Sequence, residues 1–236
     1  VCHSIIKSML LNEYYSLTIV HSCCIITYER SDTMKQNKEN SKKTFDKQAI
    51  SYDTDMVGEH ARNLYAPILK KLKQEEHVGS LLDLGCGTGA LLESIFNLNI
   101  TRQLSGIDLS SNMIEEAKKK IGDNAKLYLG DAENLPFEDN LFDTVICNDS
   151  FHHYPSPDKV VKEVSRVLKK GGLFIIGDCW QPAGARQIMN FYMKHSKSGD
   201  VKIYSKKEME NLLSKDFGTV LWEHISNTSS LTIARK

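Results

Sequence analysis

The chain has 236 residues, enough for one substantial hydrophobic core, and carries 30 basic against 30 acidic side chains. Proteins built to hold nucleic acid usually show a basic excess, because phosphate contacts supply most of their affinity, so this balance argues against DNA or RNA as a partner. The six cysteines (Cys2, Cys23, Cys24, Cys86, Cys147 and Cys179) contain no CxxC pair. Neither a metal site nor a disulfide framework is therefore expected, and free thiols fit a cytoplasmic location.

Residues 1–33 hold the longest uncharged run, Tyr14 to Tyr28, which Ser16, Thr18, His21 and Ser22 interrupt. It is shorter than the roughly 20 apolar residues of a membrane span and lacks the shape of a signal peptide, so no membrane segment is expected. Met34 then opens a polar, lysine-rich stretch that resembles an ordinary cytosolic start. The reading is an N-terminal extension over 1–43, of which 1–33 contribute little to the fold, followed by one domain over 44–236.

Residues 44–73 show apolar positions at helical spacing (Phe45, Ala49, Tyr52, Leu64, Ile68, Leu72), with Pro67 marking a first turn or a break. Strands and helices then alternate. Residues 80–84 predict a buried strand, 90–98 a helix, 104–109 a second strand, and 110–121 a helix capped by Ser110 or Ser111 and stopped by Gly122. Strands follow at 126–129 and 142–148. Ser156-Pro157-Asp158 starts a helix that Gly171-Gly172 should end, and a fifth strand covers 173–178. Residues 179–204 read as irregular. Ser205 and Glu208 form a capping box for a helix over 206–213, and two strands joined at 227–229 close the chain. Five strand–helix units predict an α/β fold: a Rossmann-like, doubly wound, mostly parallel seven-stranded sheet with an antiparallel C-terminal hairpin strand, helices on both faces and an N-terminal helical lid.

The central motif is Leu81-Leu82-Asp83-Leu84-Gly85-Cys86-Gly87-Thr88-Gly89, a buried strand running into glycines and then a helix. Glycine admits unusual backbone angles and lets the chain approach a ligand closely, at the strand end where open α/β sheets bind. The spacing Gly85-x-Gly87-x-x-Ala90 also satisfies the dinucleotide fingerprint, which keeps an NAD(P)-dependent oxidoreductase as an alternative. Asp108 closes the second strand about 20 residues on, where a carboxylate can accept ribose hydroxyls. Asp131 follows the third strand and can accept from an adenine amino group. None of the nine tyrosines has lysine four positions later, so the Tyr-x-x-x-Lys pair of a short-chain dehydrogenase is missing.

The segments LLDLGCGTGALL, GIDLS and GDAENLPFEDNLFDTVICNDSFHHYPSPDKVVKEVSRVLKKGGLFIIGD resemble the class I S-adenosylmethionine-dependent methyltransferases, in particular the small-molecule group that includes ubiquinone and menaquinone methyltransferases. The resemblance covers about residues 44–236. It implies S-adenosyl-L-methionine as cofactor, S-adenosyl-L-homocysteine as product, a small-molecule acceptor, and in-line methyl transfer. An inactive protein that keeps the cofactor pocket is a further alternative. The resemblance places Gly85, Cys86, Gly87 and Gly89 along the methionine and ribose, with Asp83 buttressing the loop. Asp108 falls at the ribose, Leu109 and Met113 about the adenine, Asp131 and Ala132 at its edge, Asn148 beside the methionine, and Tyr52 over it from the lid. The candidate bases are His153, preferred, and His152, since histidine titrates near neutrality. Trp180, Arg186, Tyr192 and His195, in a segment of large and varied side chains, are the candidate acceptor contacts. The acceptor's identity and the oligomeric state have no signature in the sequence.

Overall fold

The computed structural model describes residues 32–193 and 198–236, so the reading of 1–33 as an extension falls almost wholly outside the described residues. Helix α1 covers 32–48. The other elements are α2 (Glu59–Leu72), β1 (Leu81–Leu84), α3 (Ala90–Asn97), β2 (Leu104–Asp108), α4 (Ser111–Ile121), β3 (Lys126–Leu129), β4 (Phe142–Asn148), α5 (Pro157–Val167), β5 (Leu168–Cys179), α6 (Ala183–Met193), α7 (Lys206–Leu213), β6 (Thr219–Ser226) and β7 (Ser229–Arg235), with short 3-10 turns at Met56–Gly58, Gly122–Asn124 and Phe151–His153.

The strands form one seven-stranded sheet in the order β3-β2-β1-β4-β5-β7-β6. The first five are parallel, and β7 runs antiparallel between β5 and β6. Successive side chains of a strand face opposite ways, so each central strand serves two cores. Leu82, Val145, Phe174 and Ile176 face one core, filled from α5 and α7 by Val160, Val164, Leu212 and Leu213. Their neighbours Leu81, Ile146 and Ile175 face the other, filled from α2, α3 and α4 by Leu64, Ile68, Leu72, Leu92 and Ile114. Strands buried on both faces read as near-continuous apolar runs, as VIC does, and LLDL apart from its buried Asp83.

The order in which strands are added reverses between β1 and β4: β2 and β3 lie to one side of β1, β4 and β5 to the other. That switch opens a crevice at the carboxyl ends of β1 and β4, where ligands of such sheets bind. Ser110 caps α4 by accepting from the Met113 amide at 3.1 Å. The Ser205–Glu208 capping box of α7 forms as the sequence predicts.

Several expectations are corrected. The single helical pattern over 44–73 splits into α1 and α2, and the boundary expected at 44 falls inside α1. Pro67 lies within α2, whose apolar face of Leu64, Ile68 and Leu72 is fully buried and carries the helix through the lost amide. Helix α5 stops at Val167, ahead of Gly171-Gly172, because Leu168 already pairs with Phe142 in the sheet. No helix joins β3 to β4. The loop over 130–141 crosses instead, held by Arg166, which donates to the carbonyls of Leu135 (3.0 Å) and Phe137 (2.7 Å). Residues 183–193, expected to be irregular, form α6, and none of its side chains is buried. Among the described residues no helix is long and apolar enough to cross a membrane.

Candidate active site

The turn after β1 takes φ of +74° at Gly85, +52° at Gly87 and +74° at Gly89, the left-handed region that other residues adopt at a cost of about 1–2 kcal/mol. Gly85 also has no room for a side chain, since a Cβ there would stand 2.5 Å from Ser150 Oγ. The amides of Gly85 and Cys86 both donate to the Ile107 carbonyl, at 2.9 and 3.0 Å, which ties the turn to β2. Asp108 then closes the ring: its Oδ2 accepts from Gly87 N at 2.9 Å and its Oδ1 from Ser110 N at 2.8 Å. Burial raises the proton affinity of Asp108, and these amides, with that of Leu109, oppose the rise.

Two clefts meet over this turn. Lys38, Phe45, Leu109, Asp131, Ala132 and His153 line the first; Tyr52, Asp83, Cys86, Gly87, Met113 and Asn148 line the second. Gly85, Asp108, Phe45 and Ser150 line both, so the two make one groove pinched at its middle. Within the second cleft, Asp83 Oδ1 and Asn148 Oδ1 are buried and accept no hydrogen bond. Burial, with the charge of Asp108 added, pushes the Asp83 carboxyl up to about 8. Burial likewise raises the Cys86 thiol well above its ordinary value, so it is a neutral lining group. Two buried acceptors without donors await a group that brings N–H bonds, and an α-ammonium is such a group.

A third cavity, of about 330 Å³, opens beyond the second cleft. His60, Asp149, His152, Cys179, Met189 and Asp200 are among its lining residues, and Asp149 lines the second cleft as well. Asp149 holds φ +52° at the end of β4 and accepts from His60 Nδ1 at 2.7 Å. That bond, ahead of burial, which opposes it, raises the proton affinity of His60. Asp178, at the end of β5, accepts from the His152 amide at 2.9 Å and from its Nδ1 at 2.6 Å. Burial disfavours charge on His152, but the Cys179 sulfur and the Asp178 carboxylate outweigh it. Burial pushes the Cys179 thiol itself up to about 12, so near neutrality it is uncharged and Asp178 carries the attraction. His153 is driven the other way, to about 4, by burial and then by its neighbour His152.

The structure divides the expected residues. Tyr52, Asp83, Gly85, Cys86, Gly87, Asp108, Leu109, Asp131, Ala132 and Asn148 all line the groove. Gly89 does not line it but starts α3, packed so that a Cβ would stand 3.1 Å from Ala117. Met113 lies in the second cleft and Leu109 in the first, and the first turn of α4 carries Met113 towards Gly87. His153 faces the first cleft, edge-on to Phe45 at 5.0 Å, while His152 faces the third cavity. Trp180 packs on His224 at 4.5 Å and Arg186 donates to the Gln181 carbonyl. Tyr192 is exposed on α6. None of these three lines the third cavity, to which α6 presents Met189 and Met193 instead, and His195 falls outside the described residues.

Sequence reasoning missed Lys38, Asp149, Asp178 and Asp200. Asp178 had a signal, since it ends a parallel strand as Asp108 does. Lys38 was hidden in the lysine-rich stretch. Its Nζ meets Asp131 at 2.6 Å and Glu133 at 2.7 Å, which pins α1 across the first cleft. Asp46 adds a second tie by accepting from Ser110 Oγ at 2.6 Å.

A family model described as a methyltransferase domain matches residues 82–176, from β1 into β5. A demethylmenaquinone methyltransferase of Staphylococcus aureus (strain JH9) is 31% identical over 186 residues, covering 75% of this chain and 76% of that protein. The chain belongs to the class I S-adenosylmethionine-dependent methyltransferases. A second relative is sterol 4-C-methyltransferase strm-1 of Caenorhabditis elegans, 34% identical over 132 residues; the match spans 54% of this chain and 39% of that protein. Among solved structures, a complex between the Haloferax volcanii Trm112 methyltransferase activator and a putative methyltransferase superposes with a TM-score of 0.68 at 20% identity, covering 81% of this chain and 96% of that one. For this methyltransferase, the family sets aside the nicotinamide-dependent oxidoreductase.

The residues fit the cofactor that the family uses. Asp108 keeps free lone pairs for the ribose hydroxyls, Asp131 and Ala132 suit the adenine edge, and the orphaned oxygens of Asp83 and Asn148 suit the ammonium of the methionine end.

Proposed function

We propose that this methyltransferase moves a methyl group from S-adenosylmethionine to a small-molecule acceptor held in the third cavity, where Met189, Met193 and Ile203 offer an apolar wall. The observation that carries the reading is Asp149. It lines both the second cleft, where the orphaned acceptors Asp83 and Asn148 wait, and the third cavity, so the two compartments meet at one residue. The cofactor supplies an activated methyl carbon on a sulfonium. What remains for the protein is alignment and exclusion of water. The glycine turn and Asp108 fix the adenosyl half, Asp83 and Asn148 the amino-acid half, and Tyr52 with Phe45, packed edge-on at 6.1 Å, roofs the groove.

Of the two histidines, His152 is the one that meets the acceptor, oriented by Asp178. His153 acts on the cofactor side. The relatives' names, a sterol and a demethylmenaquinone methyltransferase, agree with an acceptor that carries apolar surface. We place the protein in the cytoplasm, on the free thiols of Cys86, Cys147 and Cys179.

The test is titration calorimetry with S-adenosylhomocysteine, followed by a screen of apolar ring-bearing acceptors with methyl-labelled cofactor. Micromolar binding and label transfer are expected. Failure of the homocysteine product to bind overturns the assignment of the groove, and binding without transfer to any acceptor favours the inactive alternative.

A further inference from the structure

His152 and Asp200, on the wall of the third cavity, meet His153, which faces the first cleft. His152 Nε2 lies 3.7 Å from Asp200 Oδ1, and His153 Nδ1 lies 3.2 Å from the same oxygen. All three atoms fall within 4.8 Å of one another. Two ligands bound at about 2.1 Å in a tetrahedral arrangement stand about 3.4 Å apart, so these gaps suit one shared ion.

The surroundings orient each donor. Asp178 accepts from Nδ1 of His152 at 2.6 Å, so a metal would displace only the proton on Nε2, the atom that faces Asp200. Metal-bound histidines commonly have such a carboxylate behind them. Ser198 Oγ donates to Asp200 Oδ2 at 2.6 Å, which leaves Oδ1 for the histidines. His153 Nδ1 is buried and makes no hydrogen bond, its contact with Asp200 lacking the geometry for one. The amides of Val201 and Lys202 donate to the His152 carbonyl at 2.9 and 3.1 Å, so the loop that carries Asp200 is fastened to the histidine turn.

We propose that His152 Nε2, His153 Nδ1 and Asp200 Oδ1 form a divalent transition-metal site between the acceptor cavity and the first cleft. Two imidazoles and one carboxylate select zinc, iron(II) or cobalt(II) over magnesium and calcium, which take oxygen ligands. The remaining positions open into the cavity that His152 and Asp200 both line, where an acceptor hydroxyl could bind the ion. The role towards the acceptor rests on the function proposed above; the binding of the ion does not.

The experiment titrates the full-length chelator-treated protein with cobalt(II) and zinc, reading visible absorption and heat, and titrates S-adenosylhomocysteine in the same samples. One equivalent bound with Kd near micromolar is expected, with affinity reduced about 10- to 100-fold by Asp200→Asn, as for lost ligands and their supports. Ser198→Ala should weaken binding by a smaller factor, and Asp139→Asn, at an exposed carboxylate elsewhere, should leave it unchanged. A site that binds neither ion below about millimolar, or whose affinity is the same in Asp200→Asn, overturns the proposal. Homocysteine-product binding that persists in that case leaves the methyltransferase reading standing. Thermal melting of each variant separates a lost ligand from a lost fold.

Discussion

Asp83 is the most informative position to perturb. Its carboxyl is buried in β1, one oxygen has no partner, and burial with the nearby Asp108 charge lifts its pKa to about 8. In the unfolded chain it returns to about 3.9. Between these values the folded state keeps a proton that the unfolded chain releases. Stability is therefore full at low pH, declines as pH rises, and reaches its floor once pH passes the folded value of about 8. The decline is about 1.36 kcal/mol per pH unit. Asp83→Asn keeps the shape and removes the titration; its unpaired amide adds a cost that does not vary with pH. From about pH 5 to about pH 7 the variant should gain about 3 kcal/mol relative to the wild type. Urea unfolding followed by tryptophan fluorescence across that range measures the difference, and carboxylates common to both proteins cancel from it. A difference that stays flat with pH would refute the burial argument. Saturating S-adenosylhomocysteine should shrink the slope, because an ammonium beside Asp83 lowers its pKa in the folded state.

Four further substitutions have expected outcomes. Gly85→Ala forces a Cβ to within 2.5 Å of Ser150 Oγ at φ +74°, and should lower the melting temperature and weaken S-adenosylhomocysteine binding at least tenfold by calorimetry. Gly122→Ala has a similar φ of +56° but nothing within 4 Å, and should cost stability alone. Asp108→Asn turns an amide N–H₂ towards the Gly87 or Ser110 amide, and should raise the Kd for the same ligand roughly 30- to 150-fold, the effect of about 2–3 kcal/mol. Lys38→Ala releases α1 from Asp131 and Glu133; these pairs are partly exposed and together worth about 1 kcal/mol, so stopped-flow association should accelerate about fivefold.

The parts of the site legible in the sequence are those fixed by local rules. A strand end that runs into Gly85-Cys86-Gly87 needs glycine for its backbone angles, and Asp108 follows at the next strand end, so both could be read along the chain. Ser110 and the Ser205–Glu208 box were legible for the same reason, since a cap is satisfied within one helical turn. What could not be read depends on contacts distant in sequence. Lys38 meets Asp131 across the whole first half of the sheet, and Asp200 reaches His152 and His153 from a different loop. The end of α5 was misplaced because Leu168 is claimed by Phe142, a partner that helix periodicity does not reveal. Within 179–204, Trp180 packs on His224 and Tyr192 is exposed, while α6 turns its methionines to the third cavity, a division that side-chain size does not reveal.

The position of β7 bears on how the molecule assembles. It is the final strand in sequence but lies inside the sheet, with β5 on one side and β6 on the other. Until residues 229–235 are in place, the apolar edge of β5 stands open and β6 has nowhere to dock. A nascent or truncated polypeptide that lacks this stretch would present an unpaired, hydrophobic template for other chains, which is the usual start of aggregation. A chain cut before Ser229 should accumulate in inclusion bodies.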